Sequence, residues 1–184
     1  TQKKMLDSIL NRIKGTDPIF ADQTPFHAPK PFQGNKGQVE IGGVVFEVKY
    51  FDDAHFPGDA VVWLPKQKIL FSGDHVYLDR MLGIHPHTHA VKWLNAFEQM
   101  AKLPAKYVVP GHGRVADMAA AQAETGDYLK QLVEAVKDAV NDMAPMSEVT
   151  PSRDWSQFEK LKHFQGWHGR KVSNTYQRLE MEMM

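Results

Sequence analysis

The chain has 184 residues, and its 22 Lys and Arg balance 22 Asp and Glu, so its formal net charge is zero. This balance offers no general basic surface to a phosphate backbone, and nucleic acid is not expected as a partner. The absence of cysteine excludes disulfides and thiolate metal sites, so any metal would need the nine histidines or the acidic residues as ligands.

The first segment predicts an amphipathic helix, because apolar residues recur at helical spacing from Met5 to Ile13 and Gly15 ends the run. It has neither the apolar core of a signal peptide nor a starting Met. We therefore expect a cleaved, trimmed or truncated product, with cytoplasm and periplasm both open as locations. Residues 16–36 contain four prolines and predict an irregular connector. No apolar run approaches the ~18 residues that span a bilayer, so no membrane contact is expected.

Strand patterns begin at Gln38. Residues 38–51 predict a hairpin that turns at Gly42 and Gly43. Residues 60–65 and 68–73 predict two further strands joined by a tight turn.

Helical patterns dominate the second half. We predict helices at 89–103, 117–143 (interrupted or merely weakened at Gly126), 154–163 and 168–183, with a short apolar strand at 107–110. Strands followed by helices predict an α/β fold with α+β-like layering, in which helices cover one mixed sheet. The predicted organisation is one partial domain with a helix and connector (1–37), a core that carries the motifs (38–143) and C-terminal helices (144–184).

Three short segments place an imidazole or a carboxylate beside glycine at the end of an apolar strand. His55 precedes one strand, and Asp74 and His112 each follow another. Strand ends at a common edge are where α/β proteins assemble sites, and glycine allows the sharp turns. Imidazole with carboxylate suits Zn²⁺, Mn²⁺ or Fe²⁺ at a catalytic centre, although each segment alone could be an ordinary turn.

The three segments together, HFPGD (55–59), KILFSGD (68–74) and PGHG (110–113), resemble the metallo-β-lactamase superfamily. They occur in the family's order and spacing, and the resemblance runs from about residue 38 to 140. The segment GDHVYLDRMLGI and the terminal YQRLEMEM also resemble a bacterial subgroup of generic hydrolases. The resemblance implies the C-terminal half of a four-layer αββα sandwich.

Carried over by position, the resemblance makes His55 a ligand of a first metal, Asp74 the bridge between two metals and His112 a ligand of the second. In such a site two Zn²⁺ ions activate a water that attacks a small ester, thioester or amide-like substrate. His75 and Asp59 are candidates for supporting the ligands, and Arg80 for touching substrate.

Two departures from the family pattern matter. The usual His-Thr-x-Gly becomes HFPG, which loses a hydroxyl beside the ligand. The His-x-His-x-Asp-His motif is absent, and His27 is the only histidine before Gln38. The HPHTH segment at 85–89 lacks the Asp-His and is interpreted as an exposed loop, with metal contact as the alternative.

These departures predict an inactive isolated chain with weak metal binding, derived from a binuclear hydrolase. The alternative is a degenerate, non-catalytic hydrolase-fold module that acts in binding or assembly. Half a sandwich would also expose apolar sheet residues, drawn from Val45, Val62 or Trp63, and Leu70 or Phe71. We therefore expect self-association as a homodimer, or pairing with a missing N-terminal half.

Overall fold

The computed structural model describes residue 34 and residues 36–183. The helix and connector predicted before residue 36 lie outside the described residues. The described strands and helices follow in chain order: β1 (Lys36–Ile41), β2 (Val44–Lys49), β3 (Val61–Leu64), β4 (Ile69–Tyr77), α1 (Ala90–Met100), β5 (Tyr107–His112), α2 (Met118–Ala121), α3 (Asp127–Asn141) and α4 (Phe164–Met183).

The five strands form one mixed sheet in the order β1-β2-β3-β4-β5. The first four are antiparallel neighbours, whereas β5 runs parallel to β4 after the crossover through α1. The predicted hairpin at Gly42 and Gly43 is confirmed, and both glycines have positive φ, which a tight turn between these strands requires. The predicted α/β fold with a mixed sheet is also confirmed.

The two faces of the sheet have different environments. One face is buried over the last three strands by Val61, Trp63, Leu70 and Val108, which join the same core as the helices. The register places eleven apolar residues on the opposite face, and all but Leu64 are partly or fully exposed. These residues, called the apolar sheet face below, are Val39, Ile41, Val44, Phe46, Val48, Val62, Leu64, Ile69, Phe71, Tyr107 and Val109.

The strand register shows which of the apolar sheet residues named in the sequence analysis are exposed. Val62 and Phe71 lie on the apolar sheet face, whereas Trp63 and Leu70 are buried in the core. Val45 was wrongly included, because it pairs with Glu40 and points to the other side.

The helices pack on the buried face with a centre of large side chains, among them Trp93, Phe97 and Tyr128. The predicted weakening at Gly126 takes the form of a π-helical segment, Gln122–Gly126, between α2 and α3. A Cβ on Gly126 would lie 2.4 Å from the Phe97 ring, so the close packing of α1 requires glycine there. Within residues 36–183, none of the helices combines the length and the apolar composition that a membrane-spanning helix needs.

Three predictions about elements are corrected. The strand that carries Asp74 does not end there but continues to Tyr77. The helix predicted at 154–163 is only a 3-10 turn, Ser156–Phe158, and α4 begins earlier than predicted, at Phe164. His168, in α4, is 5% exposed, because it packs between Trp155 and Phe164.

Candidate functional site

The structure brings His55, Asp74 and His112 to one cavity of about 330 Å³. His55 lies in the loop before β3, Asp74 within β4 and His112 at the end of β5. Because β4 and β5 are parallel neighbours, their carboxyl ends lie at the same edge of the sheet. The spatial convergence expected from the sequence is therefore present.

The Asp74 carboxylate lies between the two imidazoles. Its Oδ2 is 3.7 Å from His55 Nε2, and its Oδ1 is 3.7 Å from His112 Nε2. Each oxygen faces a different histidine, so the three groups form a row rather than a cage.

A hydrogen bond of the His55 Nδ1 atom fixes the orientation of the His55 ring. Its Nδ1 lies 2.6 Å from the Gly83 carbonyl oxygen, which can only accept, so Nδ1 carries the proton. The lone pair is then on Nε2, which faces Asp74, as a metal ligand would require. A Cβ on Gly83 would lie 2.8 Å from the His55 ring, so this contact depends on glycine.

Tyr77 supports the opposite end of the row. Its ring stacks on His112 at 4.7 Å between centroids, with the planes 28° apart. Burial, followed by the nearby Asp74 charge, raises the pKa of the Tyr77 hydroxyl, so Tyr77 stays neutral. Sequence reasoning did not single out Tyr77, because nothing in its local pattern distinguishes it from a core residue.

His85 and His87 are exposed, as expected for the HPHTH loop, whereas Thr88 is buried, which contradicts that prediction. Both exposed histidines nevertheless approach the site. Their ring centroids lie 5.2 Å and 6.4 Å from that of His55. Burial and the neighbouring His55 lower the pKa of both side chains. Only His85 lines the cavity.

His75 and Asp59 lie outside the cavity lining. The His75 ring is 1% exposed, and its Nδ1 pairs with the Ser72 carbonyl oxygen instead of a candidate ligand. Asp59 accepts a hydrogen bond from the Phe56 backbone N–H and closes the turn after His55. Any support that these two give to the ligands is therefore through the backbone.

Arg80 lines the cavity, as its predicted contact with substrate requires. Three residues of α4, Trp167, Arg170 and Lys171, line it too, and sequence reasoning missed them. Their spacing of i, i+3 and i+4 places them on one helix face, but only the tertiary fold shows that this face meets the sheet edge.

The donor types and the His55 tautomer fit zinc, whereas the number of ligands does not complete a site. Among the described residues, no group of three or more His, Asp or Glu side chains is arranged to hold a metal ion. The row of three supplies one imidazole at each end of a carboxylate, which fits part of a two-metal site.

Comparison with known proteins gives one consistent family. The sequence profile of the metallo-β-lactamase superfamily matches residues 4–112, more than half of the chain. The match begins well before residue 38, so the estimate that the resemblance starts there was wrong. The matched range includes the N-terminal segment, although that segment lacks the His-x-His-x-Asp-His motif.

Two curated relatives and one solved structure agree with the profile. A type 2 metallo-β-lactamase of Elizabethkingia meningoseptica is 31% identical over 123 residues, which is 65% of this chain and 49% of the relative. That of Bacteroides fragilis is 34% identical over 79 residues, 41% of this chain and 32% of the relative. A metallo-β-lactamase from Pontibacter korlensis is 30% identical with a TM-score of 0.51, covering 61% of this chain and 54% of that one. The chain thus spans half or less of the length of these curated relatives.

Proposed function

Because the chain belongs to the metallo-β-lactamase superfamily of metal-dependent hydrolases, we propose that it supplies part of a two-metal hydrolytic site. His55 would bind one metal, His112 the other, and Asp74 would bridge them. The observation that carries this proposal is the Asp74 carboxylate, which directs one oxygen to each imidazole. Two bound Zn²⁺ ions, or Mn²⁺ or Fe²⁺, would supply an activated water and a polarised substrate oxygen.

The residues of this chain have separate tasks in the proposed reaction. The Gly83 carbonyl oxygen holds His55 in the tautomer that leaves Nε2 free, and the Tyr77 ring limits the rotation of His112 by stacking. A small ester, thioester or amide-like substrate would fit the cavity, since its volume is at the lower end for small-molecule sites. We propose that the isolated chain does not hydrolyse these substrates, because three ligands for two metals leave both sites incomplete.

Zinc analysis of the dialysed chain tests this assignment. We expect less than one retained equivalent per chain, weak binding on titration, and further loss in His55→Ala, Asp74→Asn and His112→Ala. His163→Asn, which removes an exposed histidine outside the cavity and tolerates the positive φ at this position, is the matched control and should bind like the parent. Two retained equivalents would contradict the incomplete site, and unchanged titration in all three variants would contradict the ligand assignment.

The apolar sheet face supports a second candidate, a non-catalytic module that acts in binding or assembly. Ten of its eleven residues are partly or fully exposed, an arrangement typical of a surface that another sheet covers. We propose that the covering sheet comes from a second copy or from the N-terminal half of the fold.

Intact mass and coding sequence discriminate these candidates. A His-x-His-x-Asp-His sequence encoded upstream of Thr1 would favour the hydrolase, with that segment completing both metal sites. An intact mass that matches a gene whose start codon lies just before Thr1 would favour the assembly module.

A further inference from the structure

We infer that the same cavity contains an anion site, formed by Arg80, Arg170 and Lys171, that takes a carboxylate, sulfate or phosphate group of the substrate. The inference deepens the proposed function by naming a substrate class. It rests on that proposal only in calling the bound anion part of the substrate, because anion binding itself needs neither metal nor turnover.

The Trp167 indole contacts two of the three cations, Arg80 and Lys171, which supports the proposed site. The Arg80 guanidinium carbon and Lys171 Nζ both lie 5.2 Å from the centre of the Trp167 ring. Trp167 and Lys171 are one helical turn apart on α4, whereas Arg80 comes from the loop after β4. Attraction between cations and the aromatic face holds the two charges at the cavity wall despite their mutual repulsion.

The second support is the burial of Lys171. The residue is 3% exposed, and its Nζ donates to a single acceptor, the Ile84 carbonyl oxygen, at 3.3 Å. A buried ammonium group with one neutral acceptor is costly, because it has lost most of its hydration and has no opposite charge. Burial, then Arg170 and Arg80, lower its pKa.

The third support is the lack of acidic partners. Within residues 36–183, the ion pairs of arginine involve Arg114, Arg153 and Arg178, and none involves Arg80, Arg170 or Lys171. The Arg80 Nε is buried without a hydrogen-bond partner. The three cations at the wall of this cavity therefore have no negatively charged partner among the described residues, and a bound anion would supply that charge.

The donors define the chemistry of that anion. Guanidinium groups donate in pairs to two oxygens of a carboxylate, sulfate or phosphate, and an ammonium group donates to a third position. The site shares its cavity with His55, Asp74 and His112, so a small acidic molecule held there would present another part to the proposed metal ligands.

Titration of the full chain with sodium sulfate, and separately with sodium acetate, tests the site at constant ionic strength in zinc-free buffer. We expect saturable binding of at least one of the two ions. Tighter sulfate binding would indicate a tetrahedral group on the substrate, and tighter acetate binding would indicate a carboxylate.

Lys171→Met should weaken binding of the preferred ion by about tenfold or more, because it removes the buried charge and keeps the length of the side chain. Arg170→Gln should weaken it by a few-fold, since Arg170 is more exposed.

Lys137→Met is the matched control, because Lys137 is an exposed lysine on α3 outside the cavity. Urea unfolding without sulfate separates function from structure. Lys171→Met should unfold at the same or a higher urea concentration than the parent if the charge is kept for binding. Unfolding at clearly lower urea would show a structural lysine and overturn the inference.

The inference is also overturned if neither ion binds saturably, or if Lys171→Met binds like Lys137→Met. Failure here is distinguishable from failure of the metal-ligand proposal. The sulfate and acetate titrations use no zinc, and the zinc titration depends on His55, Asp74 and His112.

Discussion

Asp74 occupies a space that only glycine at position 111 leaves open. A Cβ built on Gly111 would lie 1.9 Å from Asp74 Oδ1 and 2.8 Å from the Gly73 backbone carbon. Glycine is needed here for close approach, and the carboxylate between the two imidazoles depends on it. The sequence predicts that the glycines beside the candidate ligands allow sharp turns, whereas Gly111 is required because a side chain there would overlap Asp74.

We predict that Gly111→Ala displaces the Asp74 carboxylate and destabilises the chain by about 1–3 kcal/mol, because backbone atoms must also move. Urea unfolding gives the free energy of unfolding, and the histidine ring proton signals report the position of Asp74 between His55 and His112.

Gly166→Ala is the matched control, since nothing lies within 4 Å of its Cβ and the residue is in α4. It should leave the ring signals unchanged and stabilise the helix by up to about 1 kcal/mol. Equal unfolding energies for Gly111→Ala and the parent would contradict the predicted overlap.

His168 predicts a second effect at the residue scale, a dependence of stability on pH. Burial lowers the pKa of His168 from 6.5 to about 4. The buried Tyr128 hydroxyl lies 3.0 Å from its Nδ1, and burial raises the pKa of Tyr128, so the hydroxyl keeps its proton and donates. His168 is therefore neutral in the folded state.

Between about pH 6.5 and pH 4 the unfolded chain binds a proton at His168 that the folded chain does not. The contribution of His168 to the free energy of unfolding is therefore fully present above pH 6.5. It decreases as the pH falls through this window and is constant below pH 4. We predict a loss of roughly 2–3 kcal/mol across the window.

Urea unfolding at several pH values measures this loss, and His168→Gln should reduce it, since an amide accepts from Tyr128 without titrating. His163→Asn, which removes an exposed histidine, should keep the parent dependence. The same slope in His168→Gln and the parent would assign the dependence to other groups.

The π-helical segment between α2 and α3 connects the helices to the end of β4. It places Thr125 against the end of β4, where the Thr125 hydroxyl accepts from the Tyr77 N–H at 3.1 Å and donates to the Tyr77 carbonyl oxygen at 2.6 Å. Glu124 accepts from the Asp79 N–H and pairs with Arg114. Local π-helix widens the turn and lets these two adjacent side chains reach the strand.

We predict that Thr125→Val destabilises the chain by about 2–4 kcal/mol, because it leaves a buried N–H and a buried carbonyl of Tyr77 without partners. Valine has nearly the same shape, so packing changes little. The ring of Tyr77 would lose its fixed position, and the His112 ring signals should broaden or shift.

Thr150→Val, at an exposed position, is the control and should change the free energy of unfolding by less than about 0.5 kcal/mol. If Thr125→Val were as neutral as this control, the π-helical segment would have no anchoring role.

Much at the element scale could be predicted from the sequence, for identifiable reasons. Alternating and apolar runs predicted the hairpin and β3 to β5, and glycine-flanked polar residues predicted which strands carry the site. The weakening at Gly126 was visible, but its π-helical form depends on contacts of Thr125 with Tyr77, 48 residues away. The cations of α4 were missed for the same reason, because helical spacing gives a shared face and not what that face meets.

At the scale of the whole molecule, the apolar sheet face is the main unexplained surface of the described residues. Residues from all five strands contribute to it, and Phe71, on β4, is 41% exposed. The other face is covered by helices, so within residues 36–183 the sheet is protected on one side only. Apolar surface of several hundred Å² on a sheet favours association with another sheet.

We predict that the isolated chain self-associates through this face. Phe71→Glu should weaken the association by about tenfold or more and shift the chain towards monomer, because a carboxylate in an apolar interface must lose its hydration. Sedimentation velocity over a series of concentrations measures the shift. Val115→Glu replaces an exposed valine (58%) outside the sheet face and should associate like the parent. Both variants should keep the parent free energy of unfolding of the monomer, since neither side chain is buried. A parent chain that stays monomeric and binds no hydrophobic dye would contradict an uncovered apolar face.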